Sequence, residues 1–199
     1  MEFWRLKFGL FLFLILGCAT QQSRVNVYQR FLVGVGRSEA LDSMDVYQNK
    51  NSFRFQYGAK EVTSFELYSE NDLLVFKSKS CPNKTIIKLE IGKTVQNQCQ
   101  SIYPFIGSKI TVLDYREFQV DNTNFQVYFL FNDVGDSYLY SSGLFFVKDL
   151  GVILITLYEG QYYELKGTNR ELLMLIKTDD SFSKMFKIPK LPPVPQIKN

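Results

Sequence analysis

Apolar and polar residues alternate with a period of two over much of this chain. The alternation is clearest in three segments, Phe53–Tyr57, Ile87–Ile91 and Phe125–Phe131. A period of two is typical of a β-strand that turns one face towards a core. Shorter or less regular apolar runs predict further strands at Val25–Val35, Val62–Leu67 and Leu73–Phe76.

Residues that favour turns separate these runs at intervals of roughly ten positions. They are Asn71-Asp72, Asp121–Asn124, Val134–Asp136, Lys148–Gly151 and Glu159–Gln161. Short connections indicate antiparallel hairpins, because parallel strands need long crossovers. We therefore predict a mainly β fold of about nine to eleven antiparallel strands, forming a curved sheet, a barrel or a sandwich, with one or two short helices.

Two segments do not follow the alternation. Ser38–Gln48 mixes good and poor helix formers, which predicts a short helix or a loop. Thr168-Asn169-Arg170-Glu171 has the form of a capping box and precedes the apolar run Leu172–Ile176, so we predict a helix there. A final strand over Glu171–Lys177 is the alternative, because a five-residue apolar run fits either structure.

The first residues have the character of an export signal. Arg5 and Lys7 precede the apolar run Phe8–Leu16, which at ~1.5 Å per residue is too short to cross a bilayer as a helix. The run ends in Ile15-Leu16-Gly17-Cys18, which resembles the lipobox of bacterial lipoproteins. The resemblance covers about the first 20 residues and implies acylation of Cys18 and removal of residues 1–17. It does not assign a family to the rest of the chain.

This resemblance sets the expected organisation and location. Residues 1–17 would be a cleaved signal peptide, 18–24 a lipidated tether, 25–187 a single β-rich domain, and 188–199 an extended proline-rich tail. We expect a lipid-anchored protein of the cell envelope, outside the cytoplasm. Ala19 rather than Asp after Cys18 implies the outer membrane of a Gram-negative bacterium.

Composition narrows the chemistry that this domain can perform. The chain contains no histidine, which excludes Ser-His-Asp and Cys-His catalysis and histidine-ligated zinc. We expect no catalytic residue, no metal and no cofactor. A net charge of +3 is too small to indicate nucleic acid as a partner.

Three cysteines leave a pair once Cys18 is acylated. An exported protein folds in an oxidising compartment, so we predict a disulfide between Cys81 and Cys99, with two free thiols as the alternative. Such a bond would stabilise the fold by roughly 3 kcal/mol.

Several short motifs have the form of a catalytic or binding site, but each has a structural explanation that we favour. Gly34-Val35-Gly36 lacks the third glycine of a dinucleotide-binding turn. Ser181-Phe182-Ser183-Lys184 has Ser-x-x-Lys spacing without its companion motifs. The carboxylate pairs lie near predicted turns, where acidic residues are common; they are Asp114 with Glu117, Asp133 with Asp136, and Asp179 with Asp180.

We therefore expect a non-enzymatic structural, assembly or interaction module. Its partners would be the membrane, through the N-terminal lipid, and an envelope protein. The alternative is a binder or carrier of a hydrophobic ligand such as a lipid. That function would need a cavity lined by strand aromatics such as Phe125, Phe129 and Phe131.

Overall fold

The structure is a computed structural model that describes residues 24–32, 42–49, 52–57, 60–78, 83–98, 106–133, 141–157 and 160–186. Twelve strands and two helices lie within these ranges. The strands are β1 Arg24–Leu32, β2 Asp42–Asn49, β3 Ser52–Tyr57, β4 Lys60–Glu70, β5 Leu73–Ser78, β6 Lys84–Lys88, β7 Thr94–Gln96, β8 Lys109–Val120, β9 Thr123–Asp133, β10 Ser142–Val147, β11 Gly151–Thr156 and β12 Gln161–Leu165. The helices are α1 Arg170–Thr178 and α2 Phe182–Met185.

All described strand pairs are antiparallel and belong to one strongly curved sheet. Its order is β6-β5-β4-β3-β2-β1-β12-β11-β10-β9-β8-β7. Strands that are consecutive in sequence lie side by side, apart from β6 and β7 at the two ends of this order, and β1 pairs with β12 to link the two halves. This result confirms the predicted mainly β, antiparallel class. The sheet is not a closed barrel, because no backbone ladder joins β6 to β7 in the described pairing.

The prediction for Ser38–Gln48 was wrong over its described part. Residues 42–49 form β2, which pairs with β1 on one side and β3 on the other. Val46 is fully buried in this strand. Weak helix propensity is overridden here by pairing on both edges and by burial of Val46. β2, together with the three-residue β7, raises the number of strands above the predicted range.

The main core fills the space between the two halves of the sheet. Leu74 and Phe76 of β5 are buried in the same cluster as Leu144 and Phe146 of β10. The Tyr28 hydroxyl lies within this core and donates a hydrogen bond to the Val152 carbonyl at 2.7 Å. Burial raises the Tyr28 pKa far above its ordinary value, so the phenol stays protonated.

A second core lies on the outer face of the sheet, under the helices. Phe145 of β10 packs there on Phe182, with ring centroids 5.1 Å apart, and on Phe186 at 5.4 Å. Every residue of β10 is consequently buried, since one side of the strand faces the main core and the other faces the helices. A bulge next to Phe145 and Phe146 shifts the register with β11.

Helix α1 begins at Arg170, which confirms the predicted helix over the alternative strand. The N-cap is Asn169, whose side-chain oxygen accepts hydrogen bonds from the Glu171 and Leu172 amides at 2.8 and 3.3 Å. Leu172, Leu173 and Ile176 are the buried face of the helix. In the described ranges, no helix has both the length and the apolar character that crossing a membrane requires.

Candidate functional site

The three cysteines singled out by the sequence lie outside the described residues. Acylation of Cys18 and a disulfide between Cys81 and Cys99 are therefore still predictions. Gly34-Val35-Gly36 and Asp136 also lie outside the described residues.

Asn83 and Gln98, the described residues nearest in sequence to Cys81 and Cys99, contact each other. The Asn83 side-chain amide donates a hydrogen bond to the Gln98 side-chain oxygen at 3.2 Å. Two residues further along, the Thr85 hydroxyl donates to the Asn97 side-chain oxygen at 2.9 Å. These contacts run between β6 and the residues that follow β7, so the two ends of the sheet are linked by side chains.

The carboxylates that were paired by sequence separate in the structure. Asp114 is buried on the helix side of β8, whereas Glu117 is exposed on the opposite face. Asp179 accepts hydrogen bonds from the Ser181 and Phe182 amides at 3.0 and 2.9 Å, while its neighbour Asp180 is exposed. Neither arrangement resembles two carboxylates facing one reacting bond.

Ser181 contacts Asp114 rather than a lysine. Its hydroxyl donates a hydrogen bond to the Asp114 carboxylate, and Arg116 lies 2.8 Å from the same carboxylate. Arg116 also approaches Asp179 at 3.8 Å. These contacts join β8 to the junction of the two helices. The polar groups of Ser181, Asp114, Arg116 and Asp179 therefore contact one another.

The three aromatic residues proposed to line a ligand cavity pack under the helices. Phe129 is buried, with its ring centroid 4.9 Å from that of Phe145. Phe125 and Phe131 are partly buried against the same cluster. Binding of a hydrophobic ligand stays a prediction, and these three side chains are occupied by packing against their neighbours.

A cleft of about 620 Å³ lies between α1 and the outer face of β1 and β12. Its volume is within the range of ligand-binding pockets. Helical spacing places three residues of α1 along its wall, and the paired strands supply its floor. The main lining residues are Arg170, Met174 and Lys177 from α1, Gln29 from β1, and Tyr162 and Glu164 from β12.

The charges in this cleft are only partly paired. The Lys177 ammonium lies 2.6 Å from the Glu164 carboxylate and 4.6 Å from the centroid of the Tyr162 ring. Arg170 is exposed, and its side chain forms no hydrogen bond or ion pair with the described part of the chain. Met174 is 57% exposed at the cleft wall. The cleft thus combines accessible apolar surface with a cation that has no partner among the described residues.

Sequence reasoning did not find this cleft. Its residues come from three elements, and none of them stands in a recognisable motif. The only available signal was that Arg170, Met174 and Lys177 share one face of the predicted helix. A mostly charged face of this kind is common on helices that face solvent.

Glu117 forms a second polar feature on β8 and β9. Its carboxylate accepts hydrogen bonds from the Tyr115 hydroxyl and from the side-chain amides of Asn124 and Gln126, at 3.3 and 3.4 Å for the two amides. These hydrogen bonds hold the Glu117 pKa below its ordinary value. Desolvation, followed by the hydrogen bond to Glu117, raises the Tyr115 pKa to about 12.

No cluster of three or more potential metal ligands was found in the part of the chain that the structure describes. The sequence matches no family model, and neither a curated protein nor a solved structure shows significant similarity to it.

Proposed function

We propose that this protein is a lipid-anchored lipoprotein of the bacterial cell envelope, and that its β-domain is a non-enzymatic interaction module. The cleft beside α1 would be its contact site for another envelope protein. The observation that carries this proposal is the combination of an exposed Arg170, without a described partner, and the accessible apolar Met174 in one recess.

The cleft fits an acidic, partly apolar peptide segment of a partner. Arg170 and Lys177 contribute two positive charges, and Glu164 contributes one negative charge, so the lining carries a net positive charge. A carboxylate from the partner could pair with Arg170. An apolar side chain next to that carboxylate could pack on Met174 and the Tyr162 ring.

Site-specific crosslinking in intact cells tests the contact. A photoreactive amino acid replaces Met174 in one variant and Ile86, which is 45% exposed on β6, in a control variant. We expect a defined protein adduct at position 174 only, and mass spectrometry should place the crosslink in a segment that contains Asp or Glu. Arg170→Glu in the same background should abolish the adduct by charge repulsion.

Two results would contradict this proposal. One is equal crosslinking at positions 174 and 86, and the other is an adduct at 174 that persists when Arg170 becomes Glu. An adduct on a basic segment would refute the proposed acidic partner while leaving an interaction at the cleft.

Anchoring is tested separately by metabolic labelling with palmitate. The protein should incorporate the label and sediment with membranes, and Cys18→Ser should abolish both. Two acyl chains or more make such attachment stable, because each buried methylene contributes ~0.8 kcal/mol. Label that remains in Cys18→Ser would disprove the assignment of Cys18.

A further inference from the structure

The β8–β9 ribbon continues beyond the strand next to it. Pairing of β10 with β9 ends at Val147 opposite Val127, but β8 and β9 stay paired as far as Val120 opposite Thr123. Asp121 and Asn122 close the hairpin, and both have positive φ, as a two-residue hairpin turn requires. The end of the ribbon therefore has only its own two strands.

The two faces of this extension differ in character. On the helix side, Val120 and Val127 are buried and Phe118 and Phe125 pack against the second core. The opposite face carries three cross-strand pairs, in order from the main core to the tip: Tyr115 with Tyr128, Glu117 with Gln126, and Gln119 with Asn124. We call these six residues the polar strip.

Hydrogen bonds hold four of the six residues of the polar strip in a fixed arrangement. Glu117 is central, because Tyr115, Asn124 and Gln126 all donate to its carboxylate. At the inner end the Tyr115 ring packs against that of Tyr128, with centroids 4.8 Å apart. Gln119 is exposed at the outer end and has no side-chain hydrogen bond within the described residues. A binding surface built this way loses little side-chain freedom when a ligand arrives.

We propose that the polar strip binds a saccharide chain. Neighbouring hydroxyls of a sugar both donate and accept, and they match the paired donor and acceptor of an amide side chain or the two oxygens of a carboxylate. The apolar C–H face of a sugar ring packs on an aromatic ring. The polar strip has three amides, one fixed carboxylate and a partly exposed tyrosine in a row. It therefore provides both the hydrogen-bonding groups and the aromatic ring that a sugar needs.

Charge favours a saccharide over other extended ligands. Glu117 is the only charged residue of the polar strip, so the strip does not attract phosphate groups of nucleic acid or of anionic lipids. A peptide strand would add to the open backbone edge of the ribbon, whereas the side-chain amides and the carboxylate of the polar strip lie on the face of its paired strands.

Titration with two soluble tetrasaccharides tests the proposal. The mature lipoprotein in detergent is titrated with an N-acetylglucosamine tetramer and with a glucose tetramer, by calorimetry and by saturation-transfer NMR. We expect one or both to bind, with saturation transfer to the sugar ring protons. Glu117→Ala should weaken binding by about tenfold, because a charge-assisted hydrogen bond is lost and its amide neighbours are released.

Matched variants separate binding from folding. Glu171→Ala removes an exposed carboxylate from α1 and should leave the affinity unchanged. Gln119→Ala removes an exposed amide that makes no described contact, so it should weaken binding without altering the melting temperature. Arg170→Glu in the cleft should have no effect on either tetramer, because the polar strip is independent of the proposed protein contact.

Two results would overturn the inference. The first is that the unaltered protein binds neither tetramer, and the second is that Glu117→Ala and Gln119→Ala bind as tightly as the unaltered protein.

Discussion

The Ser181 hydroxyl donates a hydrogen bond to the Asp114 carboxylate across 67 positions of sequence. Asp114 stands at a bulge in β8, where the pairing with β9 shifts register. The bulge turns this carboxylate towards the helices, where Arg116 contacts it as well. One buried side chain thereby connects the sheet to the junction between α1 and α2.

We expect Asp114→Ala to destabilise the fold by about 2–3 kcal/mol. The substitution leaves the partly buried Ser181 hydroxyl without its acceptor and removes the closest carboxylate partner of the Arg116 guanidinium. Urea unfolding followed by circular dichroism measures the loss. Asp180→Ala, which removes an exposed carboxylate two positions before α2, should change stability by no more than about 0.5 kcal/mol. Equal effects of the two variants would contradict the role given to Asp114.

Gly143 allows the Phe129 ring to lie directly over the backbone of β10. A Cβ atom at position 143 would lie 2.5 Å from that ring and closer still to the Thr156 hydroxyl. We expect Gly143→Ala to cost about 2–3 kcal/mol through overpacking. Gly92→Ala is the comparison, since its surroundings are open and only its positive φ opposes a side chain, at about 1 kcal/mol. A smaller loss at Gly143 than at Gly92 in urea unfolding would refute the steric explanation.

The N-cap of α1 can be tested against its neighbour. Asn169→Ala should lower the unfolding free energy by about 1 kcal/mol, because two helix amides lose their acceptor. Asn169→Asp should retain most of the stability. Thr168→Ala should change it by less than about 0.5 kcal/mol, since the Thr168 hydroxyl has no hydrogen-bond partner among the described residues. Thermal melting distinguishes the variants, and a larger effect of Thr168→Ala would place the cap one residue earlier.

The disulfide between Cys81 and Cys99 is still a prediction, because both cysteines lie outside the described residues. Asn83 and Gln98, which lie two positions after Cys81 and one before Cys99 in sequence, are in hydrogen-bond contact. We expect peptide mapping without reduction to recover Cys81 linked to Cys99, and reduction to lower stability by about 3 kcal/mol. Complete alkylation of both thiols in the unreduced protein would rule the bond out.

The sequence predicted most of the fold because its signals were local. Alternation in Phe125–Phe131 requires only that one face of a strand be buried, and Asp121 and Asn122 are residue types that tolerate the positive φ of a hairpin turn, which both have. The helix near the end was also predicted, although its cap is Asn169 and not the first residue of the motif. β2 was missed, because a strand held by neighbours on both sides needs no strong alternation of its own.

The candidate sites depended on distances that no local pattern contains. By itself the sequence predicted the antiparallel β class and a helix over Leu172–Ile176, with a strand as the alternative, and it excluded histidine chemistry, since these follow from periodicity, capping residues and composition. Only the tertiary structure decided that Asp114 and Glu117 lie on opposite faces of β8, and that α1 lies beside Glu164 to form the cleft. The physical reason is that a bulge in β8 and the packing of α1 set these positions, and both depend on contacts between residues far apart in the chain.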